Sequence, residues 1–262
     1  MDEPIPIKSH AVTRVPPHVF FFVSAIFHYL GPAFAVLLFS RVAVLGVMWL
    51  RIASAAAIFS IWRRPWRIYR SLSPAQRQLL LCLGVVLGLM NSCFYEAIAR
   101  LPLNTVAAIE FIGPVVLAAV GVRTLRNFAA LTLAVLGGWM LTHARLGGEP
   151  IGYLFALANC AMFVLYIVLG HRLAAEGAAK GIDRLGAAML IAAVTALPIG
   201  FREALPAFSH PSLLLAGIGV GVCSSVIPYV CDQLAMARLP RATFALLLSL
   251  LPASSTAIGW LV

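Results

Sequence analysis

LGLMNSCFYEAIARLPLNTVAAIEFIGP, residues 87–114, joins two long apolar runs through the short polar turn ARLP at 99–102. Each run continues outward, over 78–99 and 101–121, and each is long enough to cross a bilayer. A helix needs about 20 apolar residues to span the hydrocarbon layer. In lipid its backbone groups must bond within the segment, so such runs are read as helices. The turn recurs downstream. ARLPLNTVAAIEFIGP (99–114) matches ARLPRATFALLLSLLP (237–252) at seven of sixteen positions, with an offset of 138 residues. The identities include the whole ARLP turn and the proline twelve residues after it, Pro114 and Pro252.

Outward from this pair the same texture fills the chain. Of 262 residues, 62% are hydrophobic and 11% charged. A soluble domain is about half apolar and about a quarter charged. A soluble core of this length could not hide that excess. The runs are continuous, without the short alternating segments of an outer-membrane barrel. Nine spans are predicted, at 18–39, 42–62, 78–99, 101–121, 127–144, 150–170, 184–201, 212–237 and 241–262. The first 17 residues read as a polar, proline-dotted tail. No small-residue cleavage site follows the first span, which is therefore kept as a helix.

The net charge of +10 has a topological reading. With the N-terminus in the cytoplasm, 14 Lys and Arg fall on the inner side and 4 on the outer, with Arg51 inside the second span. That bias is the positive-inside pattern. RRPWRIYR at 63–70 is its strongest anchor, flanked and interrupted by Trp62 and Trp66 at headgroup level. Basic residues confined to short loops explain the charge without nucleic acid. Cys82, Cys93, Cys160, Cys223 and Cys231 all lie in apolar runs at no metal-ligand spacing, so they read as packing residues and no metal is expected. HExxH, GxSxG and Walker A motifs are absent, and no cofactor is implied.

The repeat carries a further consequence. Its first copy joins spans three and four, and its second joins spans eight and nine. An offset of five spans is odd, so the copies face opposite ways across the bilayer. This is an inverted repeat, an architecture that supports alternating access. The expected organisation is a tail at 1–17, a first five-helix repeat at 18–144, and a second repeat of four helices at 150–262. Five-helix units predict ten spans; nine are present, so a tenth is wanting at the C-terminal end.

Charge at membrane depth costs about 2.5–3.5 kcal/mol on insertion scales, so buried polar residues are candidates for function. Glu110 sits mid-span in IEFIGP. Pro114 removes the N–H that would serve the Glu110 carbonyl. The carboxylate reads as a proton-exchanging group that attracts a substrate ammonium, or as a structural partner of an arginine. Arg51 reads either as a fork for a substrate carboxylate or as that partner. Asn91 and Tyr95 share a helix face. With Tyr166 and Tyr229 they could hydrogen-bond a zwitterion or simply pack helices. His28 reads as a proton relay or as a packed histidine. Glu96 and Asp232 lie toward helix ends, within reach of water. Pro32, Pro114, Pro228 and Pro252 mark kinks.

The stretches 87–114 and SSVIPYVCDQLAMARLPRATFALLLSLLP (224–252), with weaker support from GYLFALANCAMFVLYIVLGHRLAAEG (152–177), resemble the drug/metabolite transporter superfamily with its paired EamA domains. Within it the chain is most similar to the threonine and homoserine exporter family. The resemblance implies a ten-helix inverted-repeat exporter of small amino acids in a bacterial inner membrane, driven by protons. The chain departs from that pattern at Leu251, where a Glu usually precedes the proline, and in the absent tenth helix. An exporter of another small metabolite, and an inactive shortened remnant, stand beside the amino-acid reading.

Overall fold

The computed structural model describes residues 15–121 and 149–248, with positions 129, 132 and 136 between them. Ten α-helices run through those stretches, and no strand occurs among the described residues. They are α1 (Pro17–Leu38), α2 (Val44–Arg63), the short α3 (Pro65–Ser71), α4 (Pro74–Ile98) and α5 (Leu103–Gly121). There follow α6 (Pro150–Ala174), α7 (Ala178–Phe208), α8 (Pro211–Gly221), α9 (Ile227–Met236) and α10 (Arg241–Leu248). A π-helical turn, Val222–Val226, fuses α8 to α9. Seven of the resulting spans are long and apolar enough to cross a membrane. The protein is an all-α, multi-pass membrane protein.

Seven predicted spans are recovered. The fifth, at 127–144, lies outside the described residues, and of the ninth only α10 is described, so Pro252 is outside as well. Two boundaries move for physical reasons. The seventh, expected at 184–201, runs from Ala178 to Phe208. Its polar ends continue the helix beyond the apolar stretch, and at one end Arg63 of α2 pairs with Asp183. The stretch 63–70, expected as a charged loop, folds mostly into α3. Arg64 takes the left-handed conformation (φ 48°, ψ 58°), ends α2 and turns the chain into α3. Proline opens α1, α3, α4, α6 and α8 in the first turn, where its missing N–H costs nothing. At α4 a capping box between Ser73 and Gln76 completes the signal.

Aromatic side chains such as Tyr95, Tyr166, Phe59 and Phe163 fill the core, glycine lies at the closest helix contacts, and many other large apolar side chains face outward. Ile61, Val120 and Leu215 are 81%, 74% and 68% exposed. That suits lipid, in which helix association relies on close packing rather than on hydrophobic exclusion. α2 and α7 approach through glycine. A Cβ on Gly46 would lie 2.5 Å from the Glu203 carbonyl oxygen, and one on Gly200 would strike the carbonyl of Leu45. α4 packs on both α6 and α7, α1 on α9, and α5 on α6 and α10. Under the five-span offset these contacts exchange. The pairing of the first span with the eighth maps onto that of the sixth with the third, and second–seventh and fourth–ninth map onto themselves. At the centre, Asn91 Nδ2 donates to the Tyr229 hydroxyl at 3.5 Å. These two residues stand 138 positions apart, the offset of the ARLP repeat.

The two ends of the bundle differ in charge. One end carries Arg63, Arg64, Arg67, Arg70 and Arg77. There Arg184 also bonds Glu176 at 2.7 Å, with Lys180 at 3.4 Å. The Arg184 hydrogen bond holds the Glu176 carboxyl below the usual carboxylate range. The other end carries Glu96, Glu149 and Glu203 around Arg100. Glu96 pairs with Arg100 one turn on, and Glu149 lies 3.4 Å from the same guanidinium.

Candidate functional site

At mid-depth six spans converge on a small cavity. Its lining comes from His28 and Pro32 of α1, Arg51 of α2, Met90, Asn91 and Phe94 of α4, Glu110 of α5, Asn159 of α6 and Tyr229 of α9. Its volume is about 10 Å³, room for about one water. The charges within it are buried: Arg51 is 4% and Glu110 3% exposed.

Glu110 is held from two sides. Asn159 Nδ2 donates to Oε1 at 2.9 Å. His28 Nε2 lies 3.8 Å from Oε2, and the imidazole rests against Phe163 at 5.7 Å between ring centres. Arg51 is held elsewhere. Its Nε donates to Ser225 Oγ at 2.9 Å, and its Nη2 to the Ser224 carbonyl at 2.7 Å. The guanidinium also lies 5.6 Å from the centre of the Tyr95 ring. Arg51 and Glu110 therefore face one cavity from separate supports, with the arginine anchored on the π-turn.

The prolines explain these anchors. A proline leaves the carbonyl four residues earlier without its helical donor. Pro228 follows Ser224 by four, and the Ser224 carbonyl is the one that Arg51 takes. Pro114 follows Glu110 by four, and Cys160 Sγ lies 3.8 Å from the Glu110 carbonyl. Pro32 follows His28 by the same step. Three of these prolines thus release backbone acceptors, two at the cavity residues His28 and Glu110 and one at Ser224, beside the cavity, where Arg51 takes it. The widened π-turn adds a local distortion of the kind found at functional sites.

Of the sequence-predicted residues, His28, Arg51, Asn91, Glu110 and Tyr229 line the cavity together. Tyr95 and Tyr166 do not. Tyr95 supports Arg51 from behind. Tyr166 donates to Asp232 at 2.8 Å and packs its ring 5.4 Å from that of Tyr229. Asp232 corrects an expectation: it does not reach water. It is 3% exposed and also accepts from Ser24 Oγ at 2.5 Å. The helix carries it inward, toward α1 and α6. Glu96, 16% exposed and paired with Arg100, does sit at a helix end. Sequence reasoning missed Asn159 and the Ser224–Ser225 pair. Their signal was present, as an amide in LANCAM and paired hydroxyls in CSSVIP within apolar runs. Among the described residues no cluster of His, Cys, Asp or Glu could hold a metal ion.

No protein-family model matches the chain. A solved crystal structure superposes with a TM-score of 0.66 over 94% of this chain and 88% of its own, at 18% identity; it shows the fold alone. Threonine/homoserine exporter RhtA of Escherichia coli (strain K12) is 36% identical over 236 residues, covering 87% of this chain and 77% of that protein. The RhtA of Salmonella typhimurium (strain LT2) gives the same identity and coverage. A buried polar cavity in a bundle of spans, read with that identity over most of both sequences, places the molecule among carriers rather than enzymes: the chain belongs to the RhtA family of drug/metabolite transporters, exporters of small metabolites.

Proposed function

We propose that the protein exports small neutral amino acids of the threonine and homoserine kind across a bacterial inner membrane, N-terminus in the cytoplasm, in exchange for protons. The observation that carries this is the pair of buried, opposite charges facing one cavity from separate supports. A zwitterionic amino acid needs a cationic pole for its carboxylate and an anionic pole for its ammonium. Arg51 supplies the first as a fork, and Glu110 the second. Asn91, Asn159 and Tyr229 line the same cavity as hydrogen-bonding groups for a hydroxyl or the α-substituents. Glu110 holds either a proton or the substrate ammonium, and His28 is placed to pass that proton. The cavity is too small for an amino acid as it stands, so binding one requires its lining helices to move apart. Contacts that exchange under the five-span offset support opening by the rocking of one repeat against the other. The names of the curated relatives support the substrate class.

Cells lacking their own exporters and loaded with labelled threonine or homoserine test this reading. Expression of the chain should accelerate efflux, more strongly with a proton gradient, and Glu110→Gln should abolish the gradient dependence. Efflux that is undiminished and still pH-dependent in Glu110→Gln removes Glu110 from the mechanism. A resistance screen against other amino acids and analogues decides between this substrate class and another small metabolite.

A further inference from the structure

The strongest unassigned feature is a second, larger hollow far from the transport cavity. It lies between α3, the first half of α4 and α7, with a volume of about 380 Å³. That is within the range of ligand pockets, about 300–1,000 Å³. Leu81, Ala187, Leu190 and Ile191 form its apolar walls, and Trp66, Tyr69 and Arg70 stand at its lip.

The lip is built, not incidental. Arg64 adopts φ 48°, the one positive φ outside glycine among the described residues, a conformation that costs energy and needs support. It lays α3 across α7. Arg77 fixes the far end of α3 by donating to the carbonyls of Leu72 and Arg70 at 3.0 and 3.2 Å. Its guanidinium also covers the Tyr69 ring at 5.3 Å. Trp66 is 53% and Tyr69 37% exposed, the placement of aromatic side chains at headgroup depth. Arg70 lines the opening, Arg64 and Arg67 are exposed on or beside the same short helix, and residues 62–80 contain no Asp or Glu. The acids closest in the fold are already engaged, Asp183 by Arg63 and Glu176 by Arg184 and Lys180.

We infer that this groove binds one anionic phospholipid, with an acyl chain between α4 and α7 and its phosphate on the arginines of α3. The apolar walls exclude a free inorganic anion as the natural occupant, since it would leave them unused. The net positive lip gives an anionic headgroup an advantage over a neutral one. Basic residues next to a span attract anionic lipid by about 1 kcal/mol each, or about fivefold in affinity. The groove joins α3 and α4 to α7, so a bound lipid would brace the third span against the seventh.

The test uses the full chain in detergent micelles, with native mass spectrometry counting bound lipid. Phosphatidylglycerol should bind at one saturable site, and phosphatidylcholine should not. Inorganic phosphate and glycerol phosphate should fail to displace it. Arg70→Gln should weaken binding about fivefold. Leu190→Trp, which fills the groove and leaves the charge untouched, should abolish it. Arg41→Gln, at the opposite end of the bundle, should change nothing. Equal binding of the two lipids, displacement by phosphate, or an equal loss in Arg41→Gln would overturn the proposal. A variant that fails to fold is identified by its lipid-free melting point and replaced by Arg70→Lys. That substitution keeps the charge and should retain most of the binding; a loss of about fivefold would count against a charge-held headgroup.

Discussion

Arg51 donates through two of its nitrogens to acceptors 2.7 and 2.9 Å away, one of them the carbonyl that Pro228 leaves without a helical donor. A lysine carries the same charge but lacks the planar fork. Arg51→Lys is therefore expected to fold and insert yet lose most transport, with the loss seen mainly as a raised KM for a zwitterionic substrate. Asp232 behaves differently, because its carboxylate accepts from two hydroxyls, Ser24 and Tyr166. Asp232→Ala strands both, at about 1–3 kcal/mol for a buried group left without its partner. Asp232→Asn retains one acceptor oxygen and should lose less, so thermal melting of the two variants separates them. Glu110, Arg51 and His28 were legible in the sequence because charge in the middle of an apolar run is costly wherever the run sits. Asp232 was misplaced because distance along a helix says nothing about which neighbour it faces. Only the packing of α9 against α1 decides that.

The spans were legible as elements because lipid imposes length and continuity on them, and the prolines because their chemistry is local. The short α3 was not, since seven residues carry too little periodicity and its existence depends on the left-handed turn at Arg64 and on its seat against α7. The π-turn escaped for a related reason: its extra residue per turn leaves no mark in hydropathy. It supplies a clear expectation all the same. Pro228→Ala restores an N–H that can bond the Ser224 carbonyl, in competition with Arg51. Transport should fall severalfold while the melting temperature stays level or rises. An unchanged rate would show that the kink is not what presents that carbonyl. At the α2–α7 crossing, Gly200→Ala places a methyl against the Leu45 backbone. Overpacking of this kind typically costs about 1–3 kcal/mol, which a drop in melting temperature would register.

At the scale of the molecule, the charged ends, the central cavity and the exchanging helix contacts bear on one question: how a cavity holding about one water serves an amino acid. If the two repeats rock, the cavity must open in turn to each side, and a native thiol is placed to report it. Cys160 is buried, with its sulfur 3.8 Å from the Glu110 carbonyl. In a version with Cys82, Cys93, Cys223 and Cys231 replaced by alanine, an impermeant maleimide should label Cys160 slowly from either face. Saturating threonine should change that rate severalfold, because a ligand that binds one form better shifts the population toward it. Asp183→Asn should act without substrate. It removes the partner of Arg63 and loosens α2 from α7 at the basic end only, so labelling should rise from that face and not from the other. A rate indifferent to threonine, or a rise from both faces alike in Asp183→Asn, would mean that the second and seventh spans do not form a gate and that the cavity opens by some other movement.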